Sequence, residues 1–231
     1  MVMITIGLIL PDVLGTYGDD GNALVLRQRA RMRGLDAEIV RIGLGEPVPS
    51  TFDVYCLGGG EDTAQILAAE HLIADGGLQR AASAGRPILA ICAGLQVLGE
   101  SFQASGRTVQ GVGLIDATTA PLTQRAIGEV VTTPRIEGLT QPLTGFENHM
   151  GATVLGDDAS PLGSVTRGVG NSSDGTSEGA VQGSVIATYM HGPVLARNPE
   201  LADLLLTRAT GLALEPLELP EVEQLRKERL S

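Results

Sequence analysis

The sequence predicts a single α/β domain in which a mostly parallel central sheet is flanked by helices. A chain of 231 residues is long enough to bury one sizeable core. Hydrophobic residues make up 43% of the chain and charged residues 19%, as in ordinary globular proteins. The predicted strands are hydrophobic throughout and alternate with helical segments, which is typical of a parallel sheet covered on both faces.

The first half of the chain supplies this alternation. Continuous aliphatic and β-branched runs predict strands, and apolar positions at helical spacing predict helices between them. Right-handed crossovers would connect these strands within one sheet. The predicted strands are 2–10, 37–44, 52–60 and 86–92, and the predicted helices are 22–34 and 61–77.

The region from about 106 to 186 has a different pattern. Short β-like pieces, such as RTVQGVGLI, AIGEVVTT and SVIATYM, are separated by many glycine, serine and threonine residues. The clearest loop is NSSDGTSEG at 171–179, which we predict to be a hairpin connection at the surface.

A closing helix is predicted after this region. Asn198 is a good cap, Pro199 suits the first helical position, and Gly211 follows the last helical residue. We therefore assign residues 1–212 to one domain and residues 213–231 to a C-terminal extension, which we expect to be helical.

The charge balance excludes a nucleic acid as partner. The formal net charge is −11 and no basic cluster interrupts the acidic character of the chain. A phosphate backbone would therefore be repelled. The densest charge run, RKER at 226–229, fits a solvent-exposed helix end better than a binding patch.

The sequence also predicts a protein of the reducing cytoplasm without a membrane-inserted segment. The apolar start MVMITIGLIL carries no basic n-region and ends at Pro11, so we interpret it as a buried strand. No other apolar run approaches the length of a membrane span. Two cysteines cannot form a disulfide framework for a chain of this size.

Cys92 is the candidate nucleophile. It ends a predicted strand and precedes a helical pattern, and the reactive groups of open parallel sheets gather at the carboxyl ends of strands. The small residues Ala90 and Gly94 fit the sharp turn of a nucleophile elbow. A helix N-terminus would also favour the thiolate. Cys56 lies within a strand and is predicted to be a core residue.

An oxyanion hole is predicted at the same elbow. The backbone N–H of Ala93 would point toward an oxyanion on the attacked carbonyl. A second donor could come from Gly59 or Gly60 in LGGGED, because glycine lets a backbone N–H approach a substrate closely.

A cysteine nucleophile also needs a base. Of the three histidines, His71 lies inside a predicted helix and is expected to be structural. His191 follows the predicted strand SVIATYM, so it would lie at the same sheet edge as Cys92. We therefore predict that His191 is the base.

Four motifs occur in order along nearly the whole chain. They are LGGGED at 57–62, AICAGLQVLG at 90–99, GFENHMG at 145–151 and TYMHGPVLARNP at 188–199. Together they resemble the class I, or triad-type, glutamine amidotransferases, and within them the cobyric acid synthase-like branch.

The resemblance implies roles for individual residues. Cys92 would be the nucleophile, His191 the base, and Arg125 in TQRAIGEV would hold the glutamine substrate. A guanidinium suits that role because its planar fork of donors fits an α-carboxylate. The resemblance implies no metal or cofactor on this chain.

One position departs from the family pattern. Most members carry an acid shortly after the histidine, where this chain has Gly192, Pro193 and Val194. The third triad member is therefore missing locally, so the core could be a dyad, or a distant acid or backbone carbonyl could orient His191. Glu147 and His149 in GFENHMG are interpreted as shaping the site.

The resemblance finally implies a function. The chain resembles those branch members that hydrolyse L-glutamine for a MurT-like Mur ligase, which amidates D-glutamate in the stem peptide of lipid II. The resemblance lies in the stand-alone length and in two segments, YGDDGN at 17–22 and TQRAIGEV at 123–130. The chain has no G-x-x-x-x-G-K-[ST] loop, so ATP and Mg are expected on that partner. Two alternatives stay open: a glutaminase for another acceptor, such as a corrinoid carboxylate, and a non-catalytic binding module on the same fold.

Overall fold

The first half of the chain builds strands and helices in alternation, as predicted. The computed structural model describes residues 3–172 and 174–230, so Val2 of the predicted strand 2–10 lies outside the described residues. The strands are β1 (Met3–Ile9), β2 (Asp36–Ile42), β3 (Val54–Leu57) and β4 (Ile88–Ile91), and the helices are α1 (Gly21–Arg31), α2 (Asp62–Asp75), α3 (Gly77–Ser83) and α4 (Ala93–Leu98).

The helix α3 is absent from the sequence-based prediction. The two glycines that suggest a stop after α2 instead join two helices, because Gly76 adopts a left-handed conformation with φ of +69° and the chain turns directly into α3.

The second half of the chain is mostly β-structure and ends in helices. The elements are β5 (Ser101–Ala104), β6 (Arg107–Gln110), β7 (Ala117–Pro134), β8 (Leu143–Leu155), β9 (Gly163–Arg167), β10 (Ser177–Glu178), β11 (Ala180–Gln182), β12 (Val185–Thr188), α5 (Val194–Arg197), α6 (Pro199–Thr210) and α7 (Pro220–Leu230).

Two of these strands are longer than the short pieces that the sequence predicts. β7 and β8 span 18 and 13 residues. Buried and partly or fully exposed residues alternate along most of β8, as in a strand with one face on the core. The expectation of short pieces is wrong here because threonine and small residues, which suggest loops, also fit a pleated and half-exposed surface.

A mostly parallel sheet lies at the centre of the molecule. Across the described residues its strand order is β11-β12-β4-β3-β1-β2, and the pairs are parallel except for β11 with β12. The central strands β3 and β4 are buried along their whole length. The predicted α/β fold is therefore confirmed.

A second sheet packs beside the first and is mainly antiparallel. Its order is β10-β9-β7-β5-β6, with β8 paired to β7. The pairing of β7 with β8 is interrupted between Pro121 and Ala126. This interruption carries Arg125 out of the regular ladder.

The loop at 171–179 differs from its prediction in one respect. It does connect the antiparallel strands β9 and β10, although Ser173 lies outside the described residues. Its ends are not at the surface, because Asn171 and Glu178 are fully buried.

The closing helix α6 begins and ends as predicted. Pro199 is its first residue, Asn198 precedes it, and Gly211 follows with φ of +69°. The Asn198 side chain holds a neighbouring strand rather than its own helix, since it accepts the N–H of Thr144 at 2.9 Å and donates to its carbonyl at 2.8 Å.

The last helix, α7, is attached to the domain by Arg226. This side chain donates to the carbonyl oxygens of Arg197 and Pro142 and to Oδ1 of Asn198. The expectation of an exposed charge run is therefore wrong for Arg226, whereas Lys227 is exposed. Among the described helices, none combines the length and the apolar character needed to cross a membrane.

We predict that Arg226→Ala lowers the free energy of unfolding by about 1.5–3 kcal/mol, because it removes charge-assisted hydrogen bonds from partly buried carbonyl groups. Urea unfolding followed by circular dichroism measures this change. The matched control is Lys227→Ala, whose effect should stay within about 0.5 kcal/mol. Equal effects of the two substitutions would contradict an anchoring role for Arg226.

Candidate active site

Cys92 lies at the junction between β4 and α4. Its backbone has φ of +52° and ψ of −106°, a conformation that costs a non-glycine residue about 1–3 kcal/mol. Its N–H still donates to the carbonyl of Thr188 in β12 at 2.8 Å. A Cβ on Gly94 would lie 3.1 Å from the carbonyl oxygen of Gly58, so a small residue is favoured there. These features are those of a nucleophile elbow.

His191 is brought to Cys92 by the chain that follows β12. Its backbone exchanges two hydrogen bonds with Phe146 in β8, at 2.9 and 3.1 Å. The close approach is visible at Gly59, where an added Cβ would lie 3.3 Å from Cε1 of His191 and 3.4 Å from Cβ of Cys92. The structure therefore places the predicted nucleophile and the predicted base together.

A buried carboxylate that the sequence analysis missed completes this group. Both oxygens of Asp19 lie 3.1 Å from Nδ1 of His191, and Oδ2 accepts the N–H of Gly59 at 3.0 Å. Because a carboxylate only accepts hydrogen bonds, Nδ1 must carry a proton. In the described part of the chain, Nε2 is buried and has no hydrogen-bond partner. Nε2 is thus the atom available to exchange a proton with a reacting group.

The only sequence signal for Asp19 was its place in YGDDGN. The residue lies 172 positions before His191, so a search for an acid near the histidine could not find it. Its loop is fixed by the hydrogen bond from Thr16 N–H to the carbonyl of Gly59 at 3.1 Å. The loop also places the ring of Tyr17 5.0 Å from the imidazole of His191.

The surroundings favour the charged form of His191. Burial by itself lowers the pKa of an imidazole, but the hydrogen bond to Asp19 and the interaction with Cys92 outweigh it and raise the pKa of His191 to about 10. An imidazolium next to a cysteine favours the thiolate. The arrangement therefore presents a protonated imidazole to the Cys92 side chain at neutral pH.

The predicted oxyanion donors differ in their availability. The N–H of Gly59 already binds Asp19. Gly60 lines the same cavity as Cys92. Ala93 is the first residue of α4, a position whose N–H has no acceptor within the helix. The geometry thus favours Ala93 and Gly60 over Gly59 as donors.

Cys92 opens into a cavity of about 370 Å³, which is large enough for a small polar ligand. The interrupted hairpin of β7 and β8 forms the opposite wall. There Arg125 donates from Nη1 to Oδ1 of Asn148 at 2.6 Å, and both side chains line the cavity. Arg125 is exposed, so its remaining donors can bind a ligand.

The GFENHMG motif supplies a rigid part of the wall. His149 lines the cavity and stacks on Tyr189, with ring centroids 3.7 Å apart. Glu147 accepts two backbone N–H groups at 2.7 and 2.8 Å. Burial works to raise the pKa of Glu147, but the interaction with His149, whose Nε2 lies 3.8 Å from Oε2, and the hydrogen bonds from these amides lower it overall. These contacts fit the interpretation that both residues shape the site.

The remaining cysteine and histidine lie apart from this group. Cys56 is a core residue, as predicted, and burial raises the pKa of its thiol to about 12. His71 lies in α2, and its Nε2 is 2.9 Å from the carbonyl oxygen of Glu46.

Comparison with known proteins decides the family. Residues 5–199 match the family model of the CobB/CobQ-like glutamine amidotransferase domain. The chain belongs to this family. Solved structures of two glutamine amidotransferases share its fold. The first has a TM-score of 0.61 and 20% sequence identity, and the match covers 90% of this chain and 99% of the solved chain. The second, from Thermotoga maritima, has a TM-score of 0.54 and 15% identity, and the match covers 99% of this chain and 94% of the solved chain.

Curated relatives within the family are more similar in sequence. The GatD subunit of lipid II isoglutaminyl synthase (glutamine-hydrolyzing) from Staphylococcus aureus is 35% identical over 98% of this chain and 94% of that protein. The corresponding subunit from Streptococcus pneumoniae is 33% identical, with coverages of 95% and 86%. A cobyric acid synthase from Sphingopyxis alaskensis is 32% identical but covers 74% of this chain and 34% of that enzyme.

We predict that Asp19→Asn lowers the pKa of His191, because the substitution removes the charged acceptor and places a neutral amide against two N–H donors. NMR titration of the imidazole measures this change. Asp20→Asn is the matched control, since Asp20 pairs with Arg41 instead. An unchanged His191 pKa in Asp19→Asn would contradict the proposed coupling.

The same coupling has a defined effect on stability. The pKa of His191 is raised on folding, so its contribution is fully present below about pH 6.5 and is lost as the pH rises to about 10. The difference in melting temperature between the wild type and Asp19→Asn should therefore be larger at pH 6 than above pH 10.

Proposed function

We propose that this chain is the glutaminase subunit of a lipid II isoglutaminyl synthase. It would hydrolyse L-glutamine and deliver ammonia to a MurT-like ATP-dependent ligase, which amidates the D-glutamate of the peptidoglycan stem peptide. The observation that carries this proposal is the similarity to two GatD subunits along almost their whole lengths. A cobyric acid synthase matches over only about a third of its own length.

The first half of the reaction uses the Cys92 and His191 pair. The Cys92 thiolate attacks the side-chain amide carbon of glutamine, and the N–H groups of Ala93 and Gly60 stabilise the oxyanion. His191 then donates the Nε2 proton to the amide nitrogen as the C–N bond breaks. Ammonia leaves, and a γ-glutamyl thioester remains on Cys92.

The second half of the reaction restores the enzyme. His191 is now neutral at Nε2 and accepts a proton from the attacking water, while Asp19 holds Nδ1–H and stabilises the imidazolium that forms. The C–S bond breaks, glutamate leaves, and the thiolate and imidazolium pair is regenerated. In this scheme Asp19 is the distant acid that takes the place of the missing residue after His191.

The partner follows from the chemistry that this chain lacks. Amidation of a carboxylate requires activation by ATP, and the sequence contains no phosphate-binding loop of the P-loop type. ATP and Mg would therefore bind to the MurT-like ligase, and the two chains would work as a complex. ATP is available inside the cell, and both cysteines of this chain are free, which is typical of a reducing compartment. We therefore propose that the complex works in the cytoplasm.

We predict that Arg125→Ala raises the KM for glutamine by about 10- to 150-fold with little change in kcat, because a charge-assisted contact to the α-carboxylate is worth about 1.5–3 kcal/mol. Steady-state kinetics of the isolated chain measure this effect. Arg135→Ala is the matched control, because Arg135 is also exposed and also bonds a neutral side chain, that of Ser164. An effect seen only in the complex would assign Arg125 to the partner interface instead.

The function itself is tested with the reconstituted complex. With glutamine, MgATP and a D-glutamyl lipid II precursor, mass spectrometry should detect replacement of a carboxylic acid by an amide in the stem peptide. Cys92→Ala should lose this activity with glutamine by several orders of magnitude, yet retain it with excess ammonium, because only the nitrogen source is removed.

Two outcomes would contradict the proposal. If lipid II stays unchanged with either nitrogen source while a corrinoid carboxylate is amidated, the acceptor is wrong and only the glutaminase remains. If the wild-type complex hydrolyses no glutamine, the chain is a binding module.

A further inference from the structure

The segment between β12 and His191 lies beyond both of the ladders that β12 forms. The parallel ladder with β4 ends at the pair Ile91 and Thr188, and the antiparallel ladder with β11 ends at the pair Ala180 and Ala187. The carbonyl of Thr188 accepts the N–H of Cys92, so the N–H of Tyr189, in the same trans peptide unit, faces away from β4. Buried N–H groups need acceptors, so groups outside these ladders must bind the N–H groups of Tyr189 and Met190.

Glu178 provides the acceptor. Its Oε1 accepts the N–H of Tyr189 at 2.7 Å and the hydroxyl of Thr188 at 2.6 Å. The same hydroxyl oxygen accepts the N–H of Met190 at 3.0 Å. One carboxylate oxygen and one hydroxyl thus accept the two N–H groups that lie beyond the ladders.

The carboxyl group of Glu178 lies in a fully buried environment. In the described residues its Oε2 has no hydrogen-bond partner. Burial raises the pKa of Glu178 to about 7, the hydrogen bonds from Thr188 and Tyr189 oppose this, and the charge of Glu147 adds to it. A buried acid is costly, and here the hydrogen bonds from Thr188 and Tyr189 offset that cost, so the acid is tied to the segment before His191.

The segment that Glu178 holds connects to both reacting groups. The carbonyl of Thr188 accepts the N–H of Cys92 at 2.8 Å. His191 follows Tyr189 by two residues, and the Tyr189 hydroxyl accepts from Gln96 of α4 at 3.1 Å. A shift of this segment would therefore move the imidazole relative to the thiol.

We propose that Glu178 is a positioning residue that fixes the separation between the Cys92 thiol and the His191 imidazole. Glu178 acts through the backbone of residues 188–190. The expected effect on kcat rests on the proposed glutaminase function. Glu178 itself is held by the next residue, because Asn171 makes two hydrogen bonds of 2.7 Å to the backbone of Gly179.

The test compares three substitutions at this position. Glu178→Ala removes the acceptor, and Glu178→Asp keeps the carboxylate but shortens the side chain by one methylene, so both should lower kcat about 100-fold while KM for glutamine changes less than about threefold. Glu178→Gln keeps an oxygen that can accept both hydrogen bonds, and kcat should return to within about tenfold of the wild type. Values of kcat are expressed per folded protein, measured by circular dichroism.

A matched control separates positioning from general destabilisation. Tyr55→Phe also removes a buried side-chain oxygen that accepts a backbone N–H, in this case that of Phe52. Tyr55 lies in β3 of the central sheet. It should lower the melting temperature but leave kcat per folded protein unchanged. A kcat of Glu178→Ala and Glu178→Asp equal to that of Tyr55→Phe would overturn the inference.

A second measurement does not depend on glutamine turnover. Iodoacetamide should alkylate Cys92 faster than Cys56 in the wild type, because Cys92 lies beside an imidazolium, and Glu178→Ala or Glu178→Asp should slow the reaction of Cys92 at least tenfold. Unchanged alkylation of Cys92 in the folded variants would also overturn the inference. Absence of glutaminase activity in the wild-type complex would instead overturn the proposed function, and the alkylation rates would still decide whether Glu178 positions the pair.

Discussion

The hydrogen bond between Asp19 and His191 is the interaction on which the site depends. The Asp19 carboxylate has no exposed side-chain surface, and it binds both the imidazole and the N–H of Gly59. It therefore joins the loop after β1, the glycines after β3 and the chain after β12. A buried carboxylate would be unfavourable without these partners. In turn, it fixes which imidazole nitrogen carries a proton and leaves Nε2 facing the reaction.

Two buried acids near the site have opposite surroundings. Asp19 lies beside an imidazole that can be charged, and the pair is stabilised by mutual attraction. Among the described residues, Glu178 has backbone and hydroxyl donors but no paired cation, and burial raises its pKa to about 7. The environment thus separates their contacts: the first orients His191 and favours its charged form, and the second holds the backbone that leads to His191.

The sequence predicted what local patterns determine. Uninterrupted apolar runs predicted the central strands, and the small residues around Cys92 predicted the elbow. Asp19 was missed because its contact spans 172 residues and its motif looks like an ordinary aspartate-rich turn. Arg226 was missed because a charge in a charged run is usually solvated, and only the tertiary structure shows the carbonyl groups that it binds. The buried ends of the loop at 171–179 were missed for the same reason.

The position of Glu178 follows from where the ladders of β12 end. The carbonyl of Thr188 faces β4 and accepts the N–H of Cys92, so the N–H of Tyr189 faces the opposite side, where the pairing of β12 with β11 has already ended at Ala180 and Ala187. An acceptor must then come from outside the central sheet. Here it comes from β10 of the second sheet, which pairs with β9 and ends in Glu178. One peptide unit thus faces both ways: its carbonyl holds Cys92 of the central sheet and its N–H binds Glu178 of the second sheet, so the segment that leads to His191 is held from both sheets at once.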